Sequence, residues 1–452
     1  MSEISRHFAN YALTQSVFPD TAYDAAKTFI LDSLGVGIAG SNAPFKEAVF
    51  KTALSWGQGD DAHLWGLGMK APTATAAYLN GFQIHSMEYD CVHEPAVVHP
   101  MATIFAAVSA EAERQNGVTG LQLMEAVIVA VDVAVELGVA VTSPLKFFRP
   151  ATAGLFGATL GIARLRGFDE AMAISAMGCA LAQCAGVMQA HLEGKPALQV
   201  QIAGAARAAV VACDLAEAGL HGPESSLEGA FGYFQMFEDE ADEQKAAGRI
   251  GKIHRITEVS WKPFPTGRAA QGGIVLLQEL IKQGVTLDNL EELTLSAPPI
   301  IARLVDRPIP DKMIANYARL CFPYLASTVL MRGTIGLNDF TDADLESAVI
   351  LAASRKIKIE TNHITDPAKF VPQSMTARLK NGDEKIAIIR KLFGSPVDPL
   401  SREQHIEKFR KCLAFGLSEV KAQPVANRLI DLTDNLERSE DCSELFSLAS
   451  GL

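Results

Sequence analysis

The first half of the chain carries apolar residues at three- and four-residue intervals. From Ile4 to about Arg249 this spacing recurs in long stretches rich in Ala, Leu, Val, Met and Gly, and it predicts helices. Residues 22–39 are representative, with charged side chains interleaved among the apolar ones. Residues 152–164 and 178–190 are apolar or small almost all round, which predicts helices buried among other helices. We therefore expect an all-helical body.

A different pattern begins near Ile256. Apolar and polar residues alternate in short runs, two of which flank Asn381-Gly382, a dipeptide typical of β-hairpin turns. The runs are Leu293–Ser296, Arg355–Glu360, Ser374–Leu379 and Lys385–Arg390. Alternation of this kind predicts strands, and the region as a whole predicts a small α+β domain.

The pattern returns to helix after residue 395. Ser401 and Gln404 have the spacing of a helix capping box, and the remaining residues again have helical periodicity. We predict a mainly α fold, in which residues 1–258 and 396–452 form a large all-helical domain and residues 259–395 form a smaller, inserted α+β domain.

Composition excludes some classes of function. The 452 residues include 40 Lys and Arg against 52 Asp and Glu, a net charge of −12, and such a field repels a polyanion. Nucleic acid is therefore not an expected partner. A small carboxylate remains a possible substrate because a few local groups, and not the net charge, determine what a pocket binds.

The sequence shows no signal for export or for a membrane. Its seven cysteines are scattered and lack CxxC spacing, as expected for reduced thiols in a cytoplasmic protein. The longest apolar stretch, Leu123–Val141, carries Glu125, Asp132 and Glu136, and a bilayer span rarely holds such charges. We expect a soluble cytoplasmic protein, and we expect the acidic run at 238–243 to be a solvated loop.

Histidines and carboxylates are concentrated in one short stretch, residues 85–100. It has the sequence HSMEYDCVHEPAVVHP and contains three of the chain's ten histidines. Imidazole and carboxylate together suit proton transfer near neutral pH. Two alternatives stay open: polar loop residues that cap the neighbouring helices, and a metal site formed by His93 with His99 or by His85 with Glu88. The spacing matches none of the stronger zinc signatures, such as HExxH.

A second candidate region lies where the two patterns meet, at residues 262–268 (KPFPTGR) and Gln271. Its lysine and arginine offer cationic groups, and the guanidinium fork suits a carboxylate. Domain junctions often hold ligand pockets; a rigid linker with solvated charges is the alternative. Arg149 and residues 193–200 are weaker candidates. The sequence contains no P-loop, dinucleotide-binding or serine-hydrolase motif, so those chemistries have no support.

An ordered set of short motifs extends along nearly the whole chain. They are LWG at 64–66, AAYLNG at 76–81, HSMEYD at 85–90, HP at 99–100, GLFGA at 154–158, GAA at 204–206, LEGAFG at 227–232, WKPFP at 261–265, FPY at 322–324 and FGSPVDP at 393–399, ahead of KF at 408–409. This set resembles the MmgE/PrpD family, which includes 2-methylcitrate dehydratase, cis-aconitate decarboxylase and iminodisuccinate epimerase. The resemblance implies a homodimer with two domains per subunit and a cofactor-free pocket for small polycarboxylates.

The resemblance also implies active-site positions. Glu88, Asp90 and His99 fall on such positions, with Glu88 where Asp is usual and Cys91 where a second Asp is usual.

Three further positions depart from the dehydratase and decarboxylase members of the family. Arg149 and Gln271 stand where those members carry His, and Gln199 stands where they carry Lys. Because glutamine cannot exchange a proton at pH 7, two proton-handling groups are missing while groups able to bind a carboxylate remain. Lys195, four residues before Gln199, would share a helical face with it.

We predict an enzyme that removes a proton α to a carboxylate of a small polycarboxylic acid, as a lyase of the 2-methylcitrate dehydratase type. His99 and Asp90 form the predicted acid/base pair, assisted by Glu88. The predicted substrate-binding residues are Arg149, Gln199, Lys262, Arg268 and Gln271, and neither a metal nor a cofactor is expected. The alternatives are an epimerase of the iminodisuccinate epimerase type, a non-catalytic carboxylate-binding paralogue, and a metal-dependent hydrolase.

Overall fold

Helices form most of the structure, and the strands belong to two small sheets. The computed structural model describes residues 3–366 and 368–451. The helices of the first part of the chain are α1 (Ile4–Thr14), α2 (Asp20–Gly40), α3 (Lys46–Leu54), α4 (Thr73–Ser86), α5 (Pro100–Gln115), α6 (Gly120–Val139), α7 (Arg149–Leu165), α8 (Glu170–Leu181), α9 (Gln189–Glu193), α10 (Ala197–Glu217), α11 (Tyr233–Phe237) and α12 (Glu243–Arg249).

The later helices are α13 (Arg268–Lys282), α14 (Pro299–Val305), α15 (Ala315–Ala318), α16 (Phe322–Arg332), α17 (Asp342–Leu345), α18 (Ala348–Ser354), α19 (Arg402–Gly416), α20 (Glu419–Asp434) and α21 (Ser443–Ala449), with 3₁₀ turns at Arg255–Glu258 and Leu436–Arg438. The strands are β1 (Ala62–Leu64), β2 (Met69–Ala71), β3 (Leu290–Ala297), β4 (Ile357–Thr361), β5 (Gln373–Leu379) and β6 (Glu384–Ile389). A mainly helical fold with a small mixed sheet in its C-terminal part confirms the predicted fold class.

Small residues bring the central helices of the first half close together. A Cβ atom at Gly157 in α7 would lie 2.3 Å from the carbonyl oxygen of Ala130 in α6. Any side chain at this position would therefore push the two helices apart. This tight packing buries α4, α5, α6 and α7 and fixes the helix ends from which the site residues project.

One helix of the described chain, α10, is long and apolar enough to span a membrane. It packs against α4, α7 and α8, and 61% of its most apolar window is buried inside the protein. Such burial is typical of a core helix in a helical body.

The larger sheet has the strand order β4-β3-β5-β6. β3 pairs with β4 in parallel and with β5 antiparallel, and β5 and β6 form an antiparallel hairpin. Gly382 in the hairpin turn has a φ of 90°, the left-handed conformation that glycine adopts without steric cost. The Asn-Gly hairpin prediction is thereby confirmed, and helix α13 covers β5 and β6.

The predicted helix over residues 178–190 is wrong in its middle. α8 ends at Leu181, and α9 begins only at Gln189. Gly186 between them lies against α7, where a Cβ would be 3.0 Å from the carbonyl oxygen of Phe148. The apolar character of this segment reflects packing of an irregular loop against α7, which periodicity alone does not separate from a buried helix.

Buried apolar side chains form two clusters. The larger draws on residues 4–259, Leu337 and residues 409–449, and the smaller draws on residues 264–392. The chain returns to the larger cluster through α19, which packs on α2 and begins with the predicted Ser401 capping box. The division of the chain into domains at residues 259 and 395 stays a prediction.

Candidate active site

The histidine-rich stretch joins two buried helices and is tied to the segment before α13. His85 lies in the last turn of α4, and His99 directly precedes Pro100, the first residue of α5. Between them, Val92 and Ser260 exchange backbone hydrogen bonds with N···O distances of 3.0 and 2.8 Å. Both helix ends and the 258–267 segment therefore hold this loop in place.

The Asp90 carboxylate lies between two histidine rings. Its Oδ2 atom is 3.0 Å from His85 Nδ1 and 3.1 Å from His99 Nδ1, and the ring centroids are 5.0 Å apart. Asp90 and His85 are buried, whereas the His99 side chain is 14% exposed. An imidazole that donates its Nδ1 hydrogen to a carboxylate presents Nε2 on the opposite side. Both rings therefore present Nε2 away from Asp90.

Lys262 is a wholly buried ammonium group beside the same carboxylates. Its Nζ donates to Glu88 Oε2 at 3.1 Å and to the Glu88 backbone carbonyl at 3.2 Å, and it lies 3.8 Å from Asp90 Oδ1. Glu88 has a φ of 50°, in the left-handed region that few residues other than glycine adopt. This turn allows the carbonyl and the carboxylate of Glu88 to reach one ammonium group.

The neighbouring charges keep both carboxyl groups ionised. Burial by itself would raise the pKa of Glu88, but the Lys262 ammonium, helped by the imidazoles, lowers this pKa to about 2. Burial also opposes ionisation of Asp90, yet His85, His99 and Lys262 hold its pKa well below the ordinary value.

The two imidazoles shift in opposite directions from the ordinary pKa of 6.5. Burial would lower the pKa of His85, but the Asp90 and Glu88 carboxylates outweigh burial and raise it. Burial lowers the pKa of His99, and Asp90 offsets only part of that effect. His85 therefore keeps its proton to a higher pH than a free imidazole, and His99 loses its proton at a lower pH.

A narrow cavity of about 70 Å³ opens beside these groups. Its polar lining consists of His85, Glu88, Glu94, His99, Arg149, His191 and Arg268. Its apolar lining includes Phe148, Met188, Leu198, Leu304 and Phe370. A mostly apolar cavity with a few convergent polar groups is typical of a small-molecule site. Asp90 and Lys262 are not part of the described cavity lining. Asp90 contacts the lining residues His85 and His99, and Lys262 contacts Glu88.

Arg268 offers the cavity an unused hydrogen-bond donor. Its Nε donates to Glu94 Oε1 at 2.7 Å, and its Nη1 donates to Gln271 Oε1 at 2.9 Å. Its Nη2 is buried and has no hydrogen-bond partner among the described residues. Because buried donors nearly always find a partner, this atom is suited to a ligand oxygen.

Arg149 lines the cavity but already has a carboxylate partner. Its Nε and Nη2 donate to the two carboxylate oxygens of Glu238 at 2.8 and 3.0 Å, and its Nη1 donates to the Ala96 carbonyl at 3.2 Å. The expectation of a solvated loop at 238–243 is wrong for Glu238, which is buried. A buried guanidinium needs a counter-charge, and this residue of the acidic run supplies it.

The two glutamines of the predicted site are buried in protein contacts. Gln199 Oε1 accepts from Asn316 Nδ2 at 3.0 Å, and Gln271 Nε2 donates to the Phe264 carbonyl at 2.9 Å. Neither belongs to the described lining of the cavity. Lys195 is exposed and precedes α10, which begins at Ala197, so it does not share a helical face with Gln199.

His191 is a cavity residue that the sequence did not point to. It lies in the short helix α9, and Arg307 Nη2 lies 3.3 Å from its Nδ1. Burial and the Arg307 charge lower its pKa to about 4, so this ring is neutral at pH 7. The weaker candidate segment of the sequence, residues 193–200, begins two positions after His191. No local spacing of residues marks His191 itself as a site residue.

Of the two pairs considered for a metal, His85 and Glu88 lie close together, with 3.7 Å between His85 Nε2 and Glu88 Oε1, but His93 does not pair with His99. His93 turns to Glu258, with Nε2 3.3 Å from Oε2, and accepts a hydrogen bond from the Ala96 backbone at Nδ1. Within the described residues, the side chains close enough to share a metal ion are instead His85, Asp90 and His99, whose potential ligand atoms lie within 4.8 Å of one another. Both Nδ1 atoms in this group lie at hydrogen-bond distance from one carboxylate oxygen, which is the geometry of a carboxylate that orients two imidazoles.

Several known proteins have sequences that align with nearly the full length of this chain. The chain is 26% identical to the cis-aconitate decarboxylase of Mus musculus over 474 aligned positions, covering 100% of this chain and 94% of the relative. It is also 26% identical to the cis-aconitate decarboxylase of Homo sapiens, covering 100% of this chain and 95% of the relative. The cis-aconitate decarboxylase-like protein oryM of Aspergillus oryzae is 24% identical, with coverage of 97% and 95%.

Two family models match successive parts of the chain. Residues 3–245 match the MmgE/PrpD N-terminal domain, and residues 264–432 match the MmgE/PrpD C-terminal domain. The first match includes the histidine-rich loop, and the second includes α13 and the mixed sheet. The chain therefore belongs to the MmgE/PrpD family, as its ordered motifs predicted.

Proposed function

We propose that this chain is an enzyme that removes a proton from the carbon next to a carboxylate of a small carboxylic acid. The single observation that carries the proposal is the His99–Asp90 pair at the cavity. An ionised carboxylate holds Nδ1 of an imidazole whose lowered pKa favours the neutral form. A neutral imidazole with its Nε2 free is a general base at neutral pH.

The proposed substrate carboxylate binds at Arg268. The unpartnered Nη2 supplies a charge-assisted hydrogen bond to one carboxylate oxygen. As the α-proton leaves, negative charge moves onto that carboxylate, and a buried donor that is already held in place stabilises the charge without rearrangement. Lys262 acts on the site indirectly: its ammonium group contacts the Glu88 and Asp90 carboxylates and helps to keep both ionised.

Within this class we propose elimination of water, as in the 2-methylcitrate dehydratase type. The relatives named above are decarboxylases. Gln199 and Gln271 stand where the resemblance places protonatable groups in dehydratases and decarboxylases alike, so they do not separate the two reactions. Dehydration starts with removal of an α-proton, the step for which the His99–Asp90 pair is suited.

One observation favours epimerisation as a second candidate. A second imidazole, His85, lines the same cavity. Inversion at a carbon needs one group to remove a proton and another to return it, without any bond to oxygen breaking. The same geometry therefore serves an epimerase of a small polycarboxylate.

Proton NMR in D₂O distinguishes these reactions. EDTA-treated protein is incubated with methylcitrate, citrate, cis-aconitate, tartrate, malate and iminodisuccinate in separate samples. Loss of the α-proton signal with a new vinylic product and no carbon dioxide supports the dehydratase. A diastereomer alone supports the epimerase, and release of carbon dioxide would contradict the proposed elimination.

Absence of exchange with every acid would reject the enzyme proposal. If one acid then raises the melting temperature in a concentration-dependent way, the chain is a carboxylate-binding protein. Activity that returns only after a divalent metal is added back would favour the metal-dependent hydrolase.

Two further proposals concern the setting of the enzyme, the first from the family resemblance and the second from the cysteines. We propose a homodimer, which sedimentation or light scattering of the purified chain tests by mass. We propose a cytoplasmic location, consistent with seven free cysteines, which fractionation of cells that express the chain tests.

A further inference from the structure

We propose that His85 is the second proton-handling residue of the site: it returns a proton to the substrate, while His99 removes one and Asp90 orients both rings. This inference rests on the proposed function. It also changes the role predicted for Asp90, which becomes a positioning residue.

The first support is an unused atom. His85 Nδ1 donates a hydrogen bond to Asp90 Oδ2. Its Nε2 atom is buried and has no hydrogen-bond partner among the described residues. The residue is only 1% exposed and lines the cavity. Buried polar atoms are nearly always hydrogen-bonded, so a group brought by the substrate is the natural partner of this Nε2.

The second support is the different surroundings of the two rings. His85 faces two carboxylates, because its Nε2 lies 3.7 Å from Glu88 Oε1 in addition to the Asp90 contact. Among the described carboxylates, Asp90 alone forms an ion-pair contact with His99. The Lys262 ammonium opposes protonation of both rings, and the His85 imidazolium also opposes protonation of His99. The extra carboxylate makes His85 the ring that holds a proton, and paired groups shifted apart in this way mark an acid beside a base.

The third support is that Asp90 has no proton to give. Its carboxylate is buried and accepts from both Nδ1 atoms, and its pKa lies well below the ordinary value. A group that stays ionised through the accessible pH range fixes the tautomer of an imidazole and does not act as an acid. Two imidazoles on one such carboxylate provide two proton-handling Nε2 atoms.

The proton balance closes for elimination. His99 Nε2 takes the α-proton, and the electrons of the C–H bond form the C=C bond. The C–O bond at the neighbouring carbon breaks, and the departing hydroxyl takes the Nε2 proton of His85 and leaves as water. His99 ends protonated and His85 neutral, so the protein carries the same number of protons before and after. In an epimerase the proton of His85 goes to the same carbon from the other face.

The test separates proton removal from product formation. His85→Gln, His99→Gln and the control His93→Gln are compared with the wild type in D₂O, using the panel acid that the wild type converts fastest. We expect His85→Gln to lose at least ~10²-fold in product formation while it retains exchange of the α-proton. His99→Gln loses both, and His93→Gln, whose ring contacts Glu258, retains both.

Two results for His85→Gln would overturn the assignment. Product formation at the wild-type rate would remove His85 from the mechanism. Loss of both α-proton exchange and product formation would mean that His85 is needed for proton removal and not for proton delivery. Circular dichroism verifies the fold of each variant. If wild-type protein exchanges no proton with any acid, the proposed function fails, and the assignment fails with it.

A second measurement needs no variant. In the wild type, the ratio of product formation to α-proton exchange is followed from about pH 5 to pH 9. As His85 loses its proton the ratio falls, because removal by His99 continues while delivery stops. A ratio that stays constant over this range contradicts the proposal even where His85→Gln does not fold.

Discussion

Arg149 and Glu238 form a buried ion pair in which two guanidinium nitrogens bind the two oxygens of one carboxylate. The pair joins α7 to the loop after α11 at the wall of the cavity. Because both side chains are buried, removing either leaves a charge without its partner in a region of low polarity.

Arg149→Met should therefore destabilise the protein by about 3–5 kcal/mol, measured by urea unfolding. The matched control is Lys146→Met, which removes a lysine that pairs with Asp239 at the surface and should cost at most ~1 kcal/mol. Equal stability of the two variants would show that the Arg149 pair contributes no more than a surface contact.

His99→Gln should reduce turnover by at least ~10²-fold with the fold intact, measured by NMR and circular dichroism. The base must be neutral, so α-proton exchange should rise with pH through the lowered pKa of His99 and level off above it. This places the acid limb below the ordinary value of 6.5. A limb centred above that value, or a fully active variant, would exclude His99 as the base.

Arg268→Lys should raise KM about tenfold and also lower kcat, because Nη2 is proposed to bind the substrate carboxylate and to stabilise the charge that develops on it. The variant preserves a positive charge near Glu94 but lacks Nη2, the unused donor of the guanidinium group. Initial rates at several substrate concentrations measure the effect, and a thermal melt verifies folding. A KM equal to that of the wild type would mean that the substrate carboxylate binds elsewhere.

Lys408→Met should cost about 3–5 kcal/mol of stability. Lys408 Nζ lies 2.6 Å from Asp32 Oδ1 and donates to the Tyr89 carbonyl at 2.9 Å, so the variant strands a buried carboxylate and releases the loop beside Glu88. Lys411→Met is the control on the same helix.

Lys411 pairs with the exposed Glu407, and its loss should cost at most ~0.5 kcal/mol. Urea unfolding of both variants measures the difference. If Lys408→Met retains wild-type stability but loses turnover, the lysine serves the site and not the fold.

Periodicity and turn chemistry were sufficient for much of the fold. The Asn381-Gly382 hairpin and the Ser401 capping box depend on residues close in sequence, and both are present. The loop at residues 182–188 was not predicted as a loop, because its apolar residues pack on α7 and resemble a buried helix in sequence. Local patterns identify local structure, and long-range packing decides the rest.

The candidate site shows the same limit. Glu88, Asp90 and His99 are close in sequence, and the structure brings them together. The partner of Arg149 lies 89 residues away, so its charge was assigned to a substrate instead of Glu238. His191 lines the cavity from the separate helix α9, and no local spacing in the sequence indicates that contact.

Helices α2 and α19 have a consequence for synthesis of the chain. Ser41 Oγ donates to the Gly416 carbonyl, a contact between residues 375 positions apart, and Phe409 lies against Gly35. At ~5–20 residues per second a ribosome needs roughly 20–75 s to cover that distance. During that interval the face of α2 that α19 covers is available to chaperones. The histidines of the candidate site are synthesised early, but the helical body that holds them is complete only when the last helices have emerged.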